Sequence, residues 1–600
     1  MKNKSKYSVF DNSKYMLSEI HRVDKKTIPL MLIYSVPAII APLMATVLLK
    51  MLLNIFETGG ELKSIFISVS IFVVLSAAAN ISRDCIQQKL YVKGYIVRYD
   101  AMLKILKQSM SIPYESIENR QKRKMLEKAQ RYVWGGDNRN AVQKYKKLFY
   151  DFIGIFSAFA IFIYVDYKIS ILLLILGICT FYVFSHLADD EKKYIDETMP
   201  VYKKTDYFML SKPTEIKAAK DIRIFNISSW FSPMLDILIG DRADIASHFF
   251  KSFTKYRLLE MLLIFIREGA TMYFLISSVL KNKISVSDFA FYFGILNAFS
   301  VWIKGIALDY QDIKKLSLIC NDYRAFLELD TIDNDGKTPA DFDSDKMCTI
   351  EFKNISFSYD KKSPIIKDMS FKVNSGEKLA VVGENGAGKT TCMKLLSGLY
   401  KPDKGEIFIN DISTADMPVN QYFSLFSAVF QDAFSLPASI SENISLSCNA
   451  DKDRITDVLK KAGLYDKLSA LENGAETLLD KELNKNGIDL SGGEMQKLFL
   501  ARALYKDAPI IILDEPTAAL DPIAENDLYI KFNELTKDKT AFYISHRLSS
   551  TRFCDRILYL KDGRIAESGT HEELMALKGD YFRMYEMQSY YYREEKGHDF

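Results

Sequence analysis

Six apolar runs constrain the fold of this chain more than any other feature: Ile28 to Phe56, Ser64 to Ile81, Leu148 to Val165, Ile169 to Leu187, Leu258 to Leu280 and Val286 to Ala307. Each is near the roughly 20 residues that a helix needs to cross about 30 Å of hydrocarbon, where every backbone polar group must be satisfied within the segment. In succession they predict six membrane-spanning helices rather than the buried core of a soluble bundle. Pro37 and Pro42 would kink the first, which neighbouring membrane helices accommodate.

Averages conceal this pattern. The 600 residues are 48% hydrophobic, and 79 Lys and Arg nearly cancel 76 Asp and Glu to leave a net charge of +3. The length excludes a single small module, and the charge excludes a polycationic nucleic-acid binder. No nucleic acid is expected among the partners.

Connections between the runs are of two kinds. Glu57 to Lys63, Asp166 to Lys168 and Lys281 to Ser285 are brief turns, whereas Ser82 to Lys147 and Ala188 to Arg257 are long, charged and compatible with helix. The long ones are rich in Lys and Arg, as at Arg120, Lys122, Arg123 and Lys124, which places them and the N-terminus on the cytosolic side. Their apolar residues recur at helical spacing, so the membrane helices are expected to continue into the cytosol as rods. Before the first run, Tyr7 to Lys26 mixes Val9, Phe10, Tyr15, Met16, Leu17 and Ile20 with basic residues; an interfacial helix and a partly disordered tail both remain open.

Glu260, Arg267 and Glu268 fall inside the fifth run, where charges are costly and mark either a functional site or an interhelical ion pair. Asn297, Trp302 and Lys304 in the sixth could line a central cavity or approach the headgroups. The seven cysteines, Cys85, Cys179, Cys320, Cys348, Cys392, Cys448 and Cys554, form no CxxC pair, which argues against a disulfide scaffold or a cysteine metal site.

Beyond Ala307 the chain turns polar. An aspartate-rich stretch, Asp330 to Asp345, with Gly336 and Pro339, reads as a linker, and α/β texture follows from Thr349. The apolar strand Leu379 to Val382 runs directly into Gly383-Glu-Asn-Gly-Ala-Gly-Lys-Thr390 and then a helix-compatible segment, a phosphate loop in its strand-loop-helix context. Gly383, Gly386 and Gly388 let backbone N–H groups reach phosphate oxygens, with Asn385 and Thr391 in the same cradle. Lys389 is placed for the β- and γ-phosphates and Thr390 for Mg²⁺. A second strand, Ile510 to Leu513, ends in Asp514, the candidate for the Mg²⁺ side, and Glu515, the candidate for the base or for orienting the water.

Between these strands, Leu490-Ser-Gly-Gly-Glu494 resembles the signature motif of ATP-binding cassette (ABC) transporters. Tyr359 resembles the adenine-stacking aromatic, Gln431 the Q-loop glutamine, Ala518-Ala-Leu-Asp521 the D-loop and His546 the switch histidine. The layout is similar to an exporter-type half-transporter: a membrane all-α domain of six helices plus a cytosolic α/β P-loop NTPase cassette.

The resemblance implies an ATPase with ATP and Mg²⁺ as cofactors, Gln431 and His546 contributing to catalysis, Gln431 also on the metal side, and Asp521 near the nucleotide. It implies paired subunits that sandwich each ATP between one phosphate loop and the partner's Ser491, Gly492 and Gly493. It also implies short coupling helices near Ser111 to Asn119 and Thr214 to Arg223. Two departures stand out: Glu494 where the family commonly has Gln, and an atypical stretch from Thr477 to Gly487.

The expected division is residues 1–27 interfacial, 28–325 transmembrane, 326–348 linker, 349–585 cassette and 586–600 tail. The expected function is ATP-driven export of a small molecule, lipid or peptide by a dimer in a bacterial plasma membrane. The complete set of motifs favours a homodimer over a heterodimer. An importer built on the exporter fold and an ATP-gated channel or regulator are the rival readings.

Overall fold

The structure, a computed structural model, describes residues 6–59, 61–134, 137–165, 167–208, 214–332, 348–431, 433–515, 536, 538–545 and 548–594. The chain divides into two compact units. The first comprises Met1–Ile112 and Asn119–Leu329, the second Pro113–Glu118 and Asp330–Phe600.

The first unit is helical: α1 (Val9–Val23), α2 (Thr27–Glu57), α3 (Leu62–Ser111), α5 (Arg120–Trp134), α6 (Asp137–Val165), α7 (Tyr167–Asp206), α8 (Ile216–Ile224), α9 (Ser228–Leu280) and α10 (Val286–Leu327). Helix α3 runs 50 residues, which at 1.5 Å per residue is about 75 Å and far exceeds a bilayer core. The expected rods are therefore continuous with their spans, as also in α9 and α10. Pro37 and Pro42 both lie inside the unbroken α2.

Among the described residues, α2, α3, α9 and α10 are long and apolar enough to cross a membrane by length and composition. The fourth expected run appears as the shorter apolar stretch Tyr167–Val183 within α7, and the third lies in α6. Large apolar side chains stay exposed along these helices, among them Phe66, Val74, Ile178, Leu262 and Phe265. Such a display in water would be an aggregation liability, and in lipid it is the expected surface.

Helix α1 settles the N-terminal alternatives. Ser8 and Asp11 form a capping box, and Met16 and Ile20 are buried in a cluster with Leu90, Val97, Ile313 and Leu316. Asn12 donates to the carbonyl of Ser317 at 3.0 Å and to its hydroxyl at 2.9 Å. Burying each such apolar side chain contributes about 1.5–3 kcal/mol, so the apolar face packs on protein rather than lying in the lipid interface or staying disordered.

The charged positions resolve as ion pairs. Glu260 on α9 is held by Arg257 at 2.8 Å and by Lys304 of α10 at 3.0 Å, and Arg267 lies 3.6 Å from Glu268. Trp302 is buried, stacked edge-on to Tyr150 and seated against Gly154, whose missing side chain makes room for the indole. It packs as a core residue with Phe299 and Ile303.

The second unit is built on two sheets. Strands β1 (Ile350–Phe357), β2 (Ile366–Val373), β4 (Lys404–Ile409) and β5 (Ile412–Ser413) form an antiparallel sheet in the order β2-β1-β4-β5. Strands β3 (Lys378–Gly383), β6 (Phe426–Val429), β7 (Ile510–Asp514), β8 (Thr540–Ile544), β9 (Arg556–Lys561) and β10 (Arg564–Gly569) form the other, ordered β10-β9-β3-β8-β7-β6. Pairings among β9, β3, β8, β7 and β6 are parallel. Strands β7 and β8 are buried throughout, as a parallel sheet covered on both faces requires.

Two short helices stand where coupling helices were expected: α4 (Tyr114–Glu118) and α8. Helix α4 belongs to the second unit although its neighbours in sequence belong to the first. Two expected boundaries shift. Helix α10 continues to Leu327 with the division after Leu329, and residues 333–347 of the expected linker lie outside the described residues. The final helix, Asp580–Glu594, crosses the expected start of the tail at 586.

Candidate nucleotide site

Strand β3 ends at Gly383, whose φ of 146° and close approach to the Leu560 carbonyl leave no room for a side chain. The loop closes at Gly388, φ 101°, which caps α11 (Lys389–Leu396). A left-handed cap of this kind suits glycine, and it directs the first N–H groups of α11 into the loop, a ready anion site.

Lys389 is 5% exposed, and its ammonium donates to the carbonyls of Gly383 at 2.9 Å and Glu384 at 3.0 Å. Burial lowers its pKa, against the attraction of Glu515 and Asp514. The lysine is thus held inside its own loop, where an anionic ligand would restore the lost solvation.

A cleft of about 480 Å³ opens at this loop, lined by Asn385, Gly386, Gly388, Lys389, Thr390 and Thr391, together with Ile365, Gln431 and Glu515. Strand β7 delivers Asp514, 3% exposed, at its C-terminal end. Gln431 follows β6, the edge neighbour of β7, and its amide donates to Glu515 Oε2 at 3.2 Å. Glu515 adopts φ 51° and its N–H is bonded to the Ile544 carbonyl at 3.1 Å. A non-glycine residue there carries strain of about 1–3 kcal/mol, which such sites characteristically retain.

Tyr359 borders the cleft: its hydroxyl shares a 3.1 Å hydrogen bond with Thr391, and Tyr400 packs edge-on against its ring at 5.1 Å. The same aromatic cluster includes Tyr114 of α4, and Glu118 of α4 bonds Lys394 at 2.7 Å and the Tyr400 hydroxyl.

Ser491, Gly492 and Gly493 sit at the start of α12 (Gly492–Lys506) and do not line this cleft. Ser491 caps α12, and Glu494 returns a bond to its N–H at 2.9 Å while pairing with Lys467 at 2.5 Å. The unusual Glu494 is thereby explained locally, as the acidic half of a capping box. His546 and Asp521 lie outside the described residues. Sequence reasoning missed Ile365, which belongs to no motif, and the Lys394–Glu118 pair, whose partners are distant in sequence.

Comparisons with known proteins agree with this geometry. The family described as ABC transporter matches residues 366–518. Over 572 residues the chain is 27% identical to the subtilin transport ATP-binding protein SpaT of Bacillus subtilis, covering 93% of this chain and 91% of that one. It is 33% identical over 316 residues to an ATP-dependent lipid A-core flippase of Mannheimia succiniciproducens, a match spanning 52% of this chain and about half, 53%, of that relative. Its fold is similar to a bacterial Atm1-family ABC exporter solved with ATP bound, with TM-score 0.78, 19% identity and coverage of 95% of this chain and 98% of that one.

The match to the ABC transporter family thus falls on the second unit, while the likeness to SpaT runs along most of the chain. Its layout, one helical unit followed by one cassette, is the fold of that Atm1-family exporter.

Proposed function

We propose that this chain is one half of a dimeric ATP-hydrolysing exporter of the bacterial plasma membrane, moving a small molecule, lipid or peptide by alternating access, with the N-terminus and cassette in the cytosol. The observation that carries the reading is Glu515 held beside Gln431 at the phosphate-loop cleft, in a chain whose other half displays long apolar helices.

In this reading the N–H groups at the start of α11 and the Lys389 ammonium bind the β- and γ-phosphates, and Tyr359 stacks on the adenine. Glu515 accepts a proton from water as the water oxygen attacks the γ-phosphorus and the bond to the bridging oxygen breaks. Gln431 orients the Glu515 carboxylate through its amide, and His546 is assigned to the γ-phosphate by resemblance. The Thr390 hydroxyl, the Asp514 carboxylate and the Gln431 amide oxygen are hard donors too few to fill an octahedron, which fits Mg²⁺, an ion that keeps water and phosphate ligands. Bound Mg²⁺ would neutralise charge on the phosphate oxygens.

The position of Ser491 to Gly493 outside the cleft supports their service to a second subunit's nucleotide, and the complete motif set favours a homodimer. ATP closure of paired cassettes would then bias a two-state helical half. Purified full-length protein reconstituted in liposomes tests this. Mg²⁺-dependent ATPase activity from protein expressed alone, with a dimeric mass, is expected; a strictly monomeric active species refutes the dimer. Accumulation in inside-out but not right-side-out vesicles is the outcome expected of an exporter.

A further inference from the structure

Two acidic side chains in the helical unit, unused by the reading above, meet where α6 packs on α10. Asp151 on α6 is 1% exposed and Asp309 on α10 is fully buried. Asp151 lies against Gly305 of α10, one turn before Asp309, and Lys147, one turn before Asp151, reaches Asp309, so the two carboxyls face each other across the α6–α10 contact; among the described residues Oδ2 of each has no hydrogen-bond partner. Gly305, one turn before Asp309, makes the approach possible: a Cβ there would collide with the Asp151 carboxyl.

Charge around the pair does not balance two carboxylates. Lys147 of α6 reaches Asp309 Oδ1 at 3.1 Å, but its side chain is 44% exposed. The nearby Lys144 is engaged by Asp312 of α10, and Lys146 by Gln87 of α3 and by Gln143, with its ammonium over the Tyr34 ring of α2. Arg83 of α3 pairs with Asp84 at 3.0 Å. Glu260 of α9 already has Arg257 and Lys304.

From α7 the pair's surroundings receive apolar groups, with Phe181 against Tyr310 and Leu187 against Ala307. Tyr150, edge-on to Trp302, and Tyr310 are further titratable neighbours among the described residues. On α5 and α1 the charges facing α10 lie further along it, at Lys128–Asp322 and at Arg324 with Asn12.

Two buried carboxylates in contact cannot both stay ionised, and an unpaired buried charge is among the costliest features a fold can hold. We propose that Asp151 and Asp309 form a proton-binding site that holds one shared proton while α6 and α10 are packed together. One carboxyl donates its O–H to the other carboxylate, and Lys147 balances the remaining charge. Any movement that parts α6 from α10 hydrates the pair and releases the proton to solvent, so the conformation of the helical unit and pH are linked.

Infrared spectroscopy of the full-length protein in ester-free alkyl glycoside micelles tests this directly. At neutral pH the wild type is expected to show the C=O stretch of a protonated carboxyl that Asp151→Asn and Asp309→Asn each lose. Lys147→Met is expected to move loss of that band to higher pH by about one unit or more, because an opposing cation is gone. A wild-type spectrum identical in this region to that of either Asn variant overturns the proposal. Should the Asn variants fail to fold, the comparison of wild type with Lys147→Met decides: a midpoint that stays in place or moves to lower pH is equally fatal.

Discussion

Gln431 donates through its side-chain amide to Glu515 Oε2 at 3.2 Å, tying the segment after β6 to the end of β7. Both sit at strand ends because β6 and β7 are parallel neighbours in register, Val429 opposite Leu513. Parallel sheets gather functional side chains at the C-terminal edge of their strands, and here that edge faces the phosphate loop. The strained φ of Glu515 turns its carboxylate from the sheet toward the cleft.

Replacing Glu515 with Gln keeps its size and removes its basicity. ATP turnover should fall by about 100-fold or more, while nucleotide stays bound through gel filtration. A variant that hydrolyses ATP at the wild-type rate would show that another group takes the proton.

Lys389→Ala removes the cation held within the phosphate loop. A charge-assisted hydrogen bond contributes about 1.5–3 kcal/mol, so titration with a fluorescent ATP analogue should give a dissociation constant about 10- to 100-fold weaker. An unchanged constant would separate Lys389 from nucleotide binding.

Glu494 offers a pH test. Its bonds to Lys467 and Ser491 lower its pKa to about 2 from an ordinary 4.5. A carboxyl depressed on folding contributes stability above 4.5, lost as pH falls toward 2. Glu494→Gln retains the cap but not the charge, so it should cost under about 1 kcal/mol near neutrality and flatten the acid limb of a thermal-melt profile. An acid limb as steep as the wild type's would assign the dependence elsewhere.

In the second unit, Glu118 anchors α4 through Lys394 and Tyr400. Glu118→Ala should loosen α4 and hasten trypsin cleavage at the exposed Arg120 and Lys122 that follow it. Equal cleavage rates would mean that the aromatic contact of Tyr114 with Tyr400 suffices.

Gly154→Ala drives a methyl into the Trp302 indole. Overpacking of this kind costs about 1–3 kcal/mol, so the melting temperature of the detergent-solubilised protein should drop. No change would show that α6 and α10 adjust freely at this point.

The sequence alone determined the order of the two halves, because hydrocarbon thickness demands apolar runs of a minimum length and such runs cannot be disguised. It also determined the phosphate loop and the Asp514-Glu515 strand end, since a glycine turn with a lysine and an acid after an apolar strand are local patterns written contiguously. Helix α1 was ambiguous, because an amphipathic stretch does not say whether its apolar face meets lipid or protein; the Asn12 contact with Ser317 on α10 decided it.

Tertiary structure alone brought Gln431 to Glu515, drew α4 into the second unit and set Asp151 against Asp309. Each depends on residues far apart in the chain, whose proximity follows from strand order and helix packing rather than from any local pattern. Asp151 lies near the start of an apolar run, and only the fold buries it against Gly305, one turn from the buried Asp309.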